Sequence, residues 1–554
     1  MAMLSHITHV KPQPRAWLTL DYWRLQNSRA SCTTRGGWSN EDVDVVAKDK
    51  RTWRELDYLW LWLADGANVG TMQQAGSILA LGLSWGEAAI AIAIGNIIIG
   101  LAVALNGSIG SSHHIPFAIA SRASMGFYFS YFAVASRLVL GLIYFGINSY
   151  IGASCMLIML EAIWPSLKTY PNALPSSSGI ASNKMIAYFV FWVVQFPLLM
   201  IHPRKMRWLF FVKSICAIVA AFAMLGWAVK AGGQGPVFDQ SATVSGSGKS
   251  WAWVYSVNVA VSGKTTLALN ISDLTRYGNK PSVAYWQALF IPIVYWLFSF
   301  IGIVIASAGQ SIYGTLYWDP TSIIGLWTNR AAAFFCAFAF GLATLGTNIS
   351  TNSIAASNDF AFLFPRWLNL RRGAVITALL GGLATAPWKI QASATSLTTF
   401  LSGYIIVMAP IVAIMVSDYW VFRRQRLHVS MLYQRRGIYA YSYGINWRAL
   451  VTLLVVVPIN LPGLMHAING NIDIGNYSYF YKASWFTATF IAIVVYMTLS
   501  LVWPPVNSLR SAGESGHHEE EEEEVDANSE TRADHESPSD DEKHPGHMSR
   551  ALHG

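Results

Sequence analysis

Residues 256–280 read SVNVAVSGKTTLALNISDLTRYGNK, a run apolar enough to enter a bilayer that nevertheless carries a glycine, a lysine and an asparagine. A charge at mid-membrane costs roughly 3 kcal/mol on insertion scales, so Lys264 needs a reason to be there. A helix broken near Ser262-Gly263 supplies one. Its freed backbone groups and the lysine then face a water-filled cavity instead of acyl chains. The alternative is a lysine near the end of its span that snorkels to the headgroups. Residues 251–261 on one side and 267–271 on the other favour the cavity over that alternative.

The rest of the chain supports a membrane reading. Of its 554 residues, 53% are hydrophobic and 12% charged, so a string of soluble domains is excluded. Apolar runs of spanning length recur at 58–83, 87–105, 131–160, 185–201, 210–231, 284–307, 331–353, 374–386, 397–416, 450–468 and 485–503, which with the opening stretch makes twelve. The run at 374–386 is the shortest. Residues 1–55 read as an N-terminal tail, 56–505 as the membrane domain, and 506–554, with Glu519 to Glu524, as a disordered acidic tail. Histidines in that tail could hold a metal, but no spacing specifies a site, and none is assigned.

The net charge of +8 does not point to nucleic acid, because its lysines and arginines cluster beside spans. Arg204, Lys205 and Arg207, then Arg366, Arg371 and Arg372, then Arg423, Arg424 and Arg426 fall on one side. That asymmetry puts both termini in the cytoplasm. Cys32, Cys155, Cys216 and Cys336 have no disulfide or zinc spacing. SGSGKS at 245–250 and SGKTT at 262–266 lack the leading glycine of a phosphate loop, which is Thr243 in one and Asn258 in the other. ATP-driven transport is therefore unsupported, and no nucleophile and base are spaced as in an enzyme; no cofactor is expected.

The first span is also interrupted, at ADGANVGTMQQAG, where Gln73 is one of several polar groups counted with the binding residues. Broken spans five apart are the pattern of a 5+5 inverted repeat holding a small polar ligand at mid-membrane. In the third span Tyr144 and Asn148, at i and i+4, share a helix face and offer a ring with an amide to a flat heterocycle. In the eighth, Asn348 and Asn352 repeat the spacing beside Thr347, Ser350 and Thr351. Ser402, Gly403 and Pro410 would let the tenth span bend as a gate, or serve close helix packing.

Several of these pieces together resemble the nucleobase-cation-symport-1 family, in its fungal Fur-type branch: SNEDVDVV and KRTW before the first span, GANVGTMQQAGSILALGLSW within it, residues 115–152, GKTTLALNISDLTRY, GTNISTNSIAASNDFAFLFP and FLSGYIIVMAPIVAIMVSDYW. The resemblance implies an all-α transporter of twelve helices with a LeuT-type inverted repeat. It also implies import of uracil, allantoin, uridine or a related heterocycle by proton symport at the plasma membrane. Carried over by position, substrate contacts fall on Tyr144, Asn148, Gly263, Lys264, Asn348 and Asn352. The family's usual Trp-Phe-Gly-Ile-Gln run is here Tyr-Phe-Gly-Ile-Asn, which widens the pocket and leaves room for a bulkier ligand. Where sodium-coupled relatives place a hydroxyl before the eighth-span threonine, this chain has Gly346 before Thr347, which favours protons. A carrier for thiamine, nicotinamide riboside or a pyridoxine-like vitamin, and a transport-dead nutrient sensor, remain as alternatives. Lys264 argues against a cationic ligand such as thiamine.

Overall fold

The computed structural model describes residues 42–201, 207–233, 238 and 240–505, so the tails and their acidic and histidine-rich tracts lie outside the described residues. The described chain is helical, with isolated bridges and no strands. Among the described residues, eight helices are long and apolar enough to cross a membrane. In the expected order they are spans 2, 3, 5, 7, 8, 10, 11 and 12. The other four segments are the two broken ones, the fourth at Ser182–Leu199 and the short ninth at Leu370–Leu383. Exposed Phe335, Leu454, Phe490 and Leu501 lie on the outer faces, where lipid is their solvent.

Span 1 is two helices, Glu55–Gly66 and Val69–Leu79. Asn68 sits in the gap and serves both ends. Its Oδ1 accepts from the Thr71 backbone N–H at 2.9 Å, and its Nδ2 donates to the Asp65 carbonyl. Span 6 is likewise split, into Gly246–Ser262 and Thr265–Asn270, with Gly263 and Lys264 between. The carbonyl freed at Ser262 is taken by the Tyr404 hydroxyl of span 10. Both breaks are thus satisfied by protein groups, as backbone at membrane depth requires.

Span 2, Trp85–His113, opens with Ser84 and Glu87 capping each other and runs eight residues past the predicted end. Its polar final turns stay helical because they are buried in protein: Ser108 Oγ donates to the Leu105 carbonyl at 2.7 Å and Ser111 Oγ to the Pro281 carbonyl at 2.8 Å. The following connector forms a buried helix, Phe117–Met125. Span 3 is Ser130–Ile163, span 5 Arg207–Gly232 and span 7 Gln287–Tyr313. Span 8 begins at Arg330–Thr347, widens into a π-helical turn over Asn348–Ser353 and continues as Ile354–Leu363, ten residues beyond the expected boundary.

Spans 1, 2, 6 and 7 pack as one group and spans 3, 4, 8 and 9 as another, with span 5 bridging spans 1, 7 and 8. Span 10, Ala394–Ser417, touches spans 1, 2, 3 and 6, while spans 11 and 12, Trp447–Ile468 and Ser484–Val502, pair beside it. Residues 42–53, read from the sequence as tail, fold against the helix ends. Val43 and Val46 are buried, Tyr433 donates to the Val43 carbonyl at 3.0 Å, and Arg276 donates to the Asp42 carbonyl at 3.1 Å.

Candidate functional site

A cavity of about 140 Å³ lies between the two groups of helices, where the broken spans meet. A bound water needs about 10–15 Å³ by this measure, so the space takes a small organic molecule and not an ion alone. Lys264, Gly263, Tyr144, Asn148, Gln73, Thr347 and Asn352 line it, as do Asp65, Gln74, Arg137, Tyr295 and Gln391.

Lys264 is 4% exposed. Its Nζ donates to Gln74 Oε1 at 3.0 Å and lies 4.6 Å from the centre of the Tyr295 ring, leaving one N–H for the cavity. Gln74 in turn donates to the Val259 carbonyl at 2.6 Å, so one amide ties the second half of span 1 to the break in span 6. A Cβ at Gly263 would run into that amide, which is why this position is glycine.

The Tyr144 ring packs edge-on against Phe400 and Tyr404, with centroids at 5.8 and 6.0 Å, and its hydroxyl is 2.9 Å from that of Tyr404. Asn148 returns one N–H to the Tyr144 carbonyl at 3.1 Å and keeps its oxygen and other N–H for the cavity. Asn352 donates to Asn348 Oδ1 at 2.9 Å. Gln391, in the turn between spans 9 and 10, donates to Gln73 Oε1 at 3.3 Å across one side of the chamber.

One expected contact, Asn348, is placed elsewhere, and the three expected gate residues, Ser402, Gly403 and Pro410, face helix neighbours. Asn348 does not line the cavity. It is fully buried, and its Nδ2 is 3.1 Å from the Phe145 carbonyl, 3.1 Å from Ser149 Oγ and 2.9 Å from Gln195 Oε1. Its amide fixes span 8 to spans 3 and 4 and orients Asn352. Ser402 faces span 6, accepting from Asn258 Nδ2 at 3.3 Å, and Gly403 faces Leu464 of span 11. Pro410 is buried inside a helix that runs unbroken from Ala394 to Ser417. The span 10 residues at the cavity wall are instead Leu397 and Leu401, with Tyr404 behind Tyr144.

Sequence reasoning counted Asp65 only among the polar groups interrupting the first span and passed over Arg137, Asp359 and Lys213. Asp65 is 8% exposed; its Oδ2 accepts from the Tyr295 hydroxyl at 2.5 Å, and its Oδ1 has no hydrogen-bond partner. Arg137 and Asp359, 222 positions apart, form an ion pair at 2.6 Å with both side chains buried. Lys213 of span 5 donates to the Ala64 carbonyl at 3.1 Å and to Thr347 Oγ1 at 3.0 Å. Among the described residues no group of His, Cys, Asp or Glu is arranged to hold a metal ion, and the three described cysteines are unpaired.

The family described as permeases for cytosine/purines, uracil, thiamine and allantoin matches residues 45–503. The chain belongs to this family. The permease is 38% identical over 477 residues to an uncharacterised permease of Schizosaccharomyces pombe, covering 85% of each chain. It is 33% identical to the allantoin permease of Saccharomyces cerevisiae, covering 84% of this chain and 76% of that one. It is 33% identical to the uracil permease of the same yeast, covering 80% and 73%. Its fold is similar to that of Mhp1, a nucleobase-cation-symport-1 family transporter with bromovinylhydantoin bound, at a TM-score of 0.66 and 19% identity over 84% of this chain and 97% of the other. The permease is thus a multi-pass membrane transporter of LeuT-like architecture and not an enzyme.

Proposed function

We propose that the permease imports a neutral, flat heterocycle bearing a ring carbonyl and an adjacent N–H, such as uracil, allantoin or a related compound, by proton symport. The supporting observation is the chamber at the two helix breaks. There an aromatic wall at Tyr144, amides at Asn148, Asn352 and Gln73, and the Lys264 ammonium surround one small space. The amides offer both donors and acceptors, and Lys264 offers a charged donor to a carbonyl oxygen. Two buried lysines, Lys264 and Lys213, both act electrostatically on the buried carboxylate of Asp65, a balance that disfavours a cationic ligand such as thiamine.

Relatives named for thiamine and nicotinamide riboside transport are 29% and 28% identical, so a vitamin is the competing substrate class. The setting we propose is the plasma membrane with both termini cytoplasmic, in keeping with the one-sided clustering of arginine. Tracer uptake in cells lacking their own permeases, competed by uracil, allantoin, uridine, hypoxanthine and thiamine, tests this. Accumulation of a lactam or imide compound is expected. Thiamine accumulation, or binding without any accumulation, would overturn the proposal.

A further inference from the structure

Tyr404 of span 10 does not line the chamber, yet it stands directly behind a ring that does. Its hydroxyl donates to the Ser262 carbonyl, freed by the break in span 6, and lies 2.9 Å from the hydroxyl of Tyr144 on span 3. A carbonyl can only accept, so the single hydrogen of the Tyr404 hydroxyl is committed to Ser262. Tyr144 is therefore the donor to Tyr404. The result is a directed chain of two bonds, Tyr144 to Tyr404 to Ser262, that crosses from the helix group of spans 3, 4, 8 and 9 to the group of spans 1, 2, 6 and 7.

The ends of this chain belong to two sides of the ligand space. Tyr144 supplies the aromatic wall, and Ser262 lies two residues before Lys264, whose remaining N–H faces the cavity. An unanchored tyrosine can swing between staggered wells about χ1. Here the bond at its tip and the Phe400 ring at its side, with centroids 5.8 Å apart, hold Tyr144 in one of them. Phe400 packs on Tyr404 as well, at 5.5 Å. A merely structural role explains half of this arrangement. A buried tyrosine needs a partner for its hydroxyl, and the Ser262 carbonyl is enough. The second bond, to a residue at the ligand's face, is left without a reason. The smaller ring at position 144 widens the chamber, and the hydroxyl that comes with it limits the widening.

We propose that Tyr404 is a specificity-determining residue acting through Tyr144: its hydroxyl fixes the separation between the Tyr144 ring and the Lys264 ammonium, and so selects ligands of one ring over fused bicycles. This rests on the transport function proposed above and narrows its substrate class to one-ring lactams and imides. A one-ring ligand meets the wall and the ammonium together. A fused bicycle fits between them only if the Tyr144 ring moves back, which breaks its bond to Tyr404. The cost of that bond falls on the larger ligand alone. Tyr404 is thus a positioning residue, one step removed from the ligand.

The test is competition of tracer uptake by the full-length permease in cells lacking their own, with whichever of radiolabelled uracil, allantoin and uridine the wild type accumulates. Uracil and hypoxanthine are the competitors, because both carry a carbonyl with an adjacent N–H and they differ by the fused ring. Wild type should prefer uracil. Tyr144→Phe breaks the bond to Tyr404 and leaves Tyr404 on Ser262, so that preference should fall by about 2- to 13-fold. Tyr404→Phe should lower it by the same factor, while its loss of the Ser262 bond weakens both competitors alike. The double variant should fall no further than either single, since all three lack the same bond. A preference unchanged in Tyr144→Phe overturns the role, and that variant decides the matter should Tyr404→Phe not reach the surface. A double variant whose fall is the product of the two singles also overturns it. So does a wild type that hypoxanthine inhibits as well as uracil does, or that neither inhibits, with transport itself left standing. Absence of uptake of all three tracers by the wild type overturns the proposed function and this role with it.

Discussion

Replacing Lys264 by methionine keeps the length of the side chain and removes its charge and its donors. In the structure one N–H of the ammonium goes to Gln74, the Tyr295 ring covers another side, and the remaining N–H faces the cavity. If that last donor meets a substrate carbonyl, its loss removes a charge-assisted hydrogen bond worth about 1.5–3 kcal/mol. Apparent affinity should then weaken by about 13- to 150-fold. Lys264→Gln restores a neutral donor worth about 0.5–1.5 kcal/mol, so the net loss is about 1–1.5 kcal/mol and apparent affinity should weaken only about 5- to 13-fold. Stability should change little, because the acceptor left bare at Gln74 is offset by relief from burying an ammonium. The assay is competition of tracer uptake, with surface expression measured in parallel. Carbonyl-bearing hypoxanthine should lose more than adenine, which lacks the carbonyl. Unchanged affinity for carbonyl ligands in a Lys264→Met protein that reaches the surface would refute the contact.

Tyr144→Ala should abolish uptake at normal expression, whereas Tyr144→Phe keeps the ring and loses only the bond to Tyr404, a change of about 2- to 13-fold in apparent affinity. Asn352→Ala should weaken apparent affinity by about 5- to 150-fold, from 1–3 kcal/mol for a buried polar contact; an unchanged value in competition uptake removes it from the site. Gly346→Ala places a methyl against the Lys213 stem and should cost about 1–3 kcal/mol by overpacking, read as earlier loss of the monodisperse peak on heating in detergent. Arg137→Met and Asp359→Leu should each destabilise by about 3–5 kcal/mol, while the double variant recovers most of that loss. A double variant as unstable as the sum of the singles would contradict a direct ion pair.

The two lysines show what the sequence could and could not disclose. Lys264 stands inside an apolar run with a glycine before it, so the cost of a charge in lipid points at once to a broken helix and a cavity. Lys213 pays the same cost, yet it follows Arg204, Lys205 and Arg207 by only a few residues and reads as one more flanking charge able to snorkel. Only packing reveals that it turns inward. Twelve spans and their order were legible because length and apolarity are local properties, whereas the continuation of span 8 past Ser353 was hidden by polar residues that the protein interior satisfies. The i, i+4 rule put Asn348 and Asn352 on one face. It could not say that Asn348 is claimed by Phe145, Ser149 and Gln195, groups more than 150 positions away. The Arg137 to Asp359 pair was invisible for the same reason. Sequence thus exposes a buried polar group when its neighbours in the chain make it anomalous, and conceals it when its justification comes from other spans. In this permease Lys264, of the first kind, lines the chamber, while Lys213, Asn348 and the Arg137 to Asp359 pair, of the second, hold together the helices that form it.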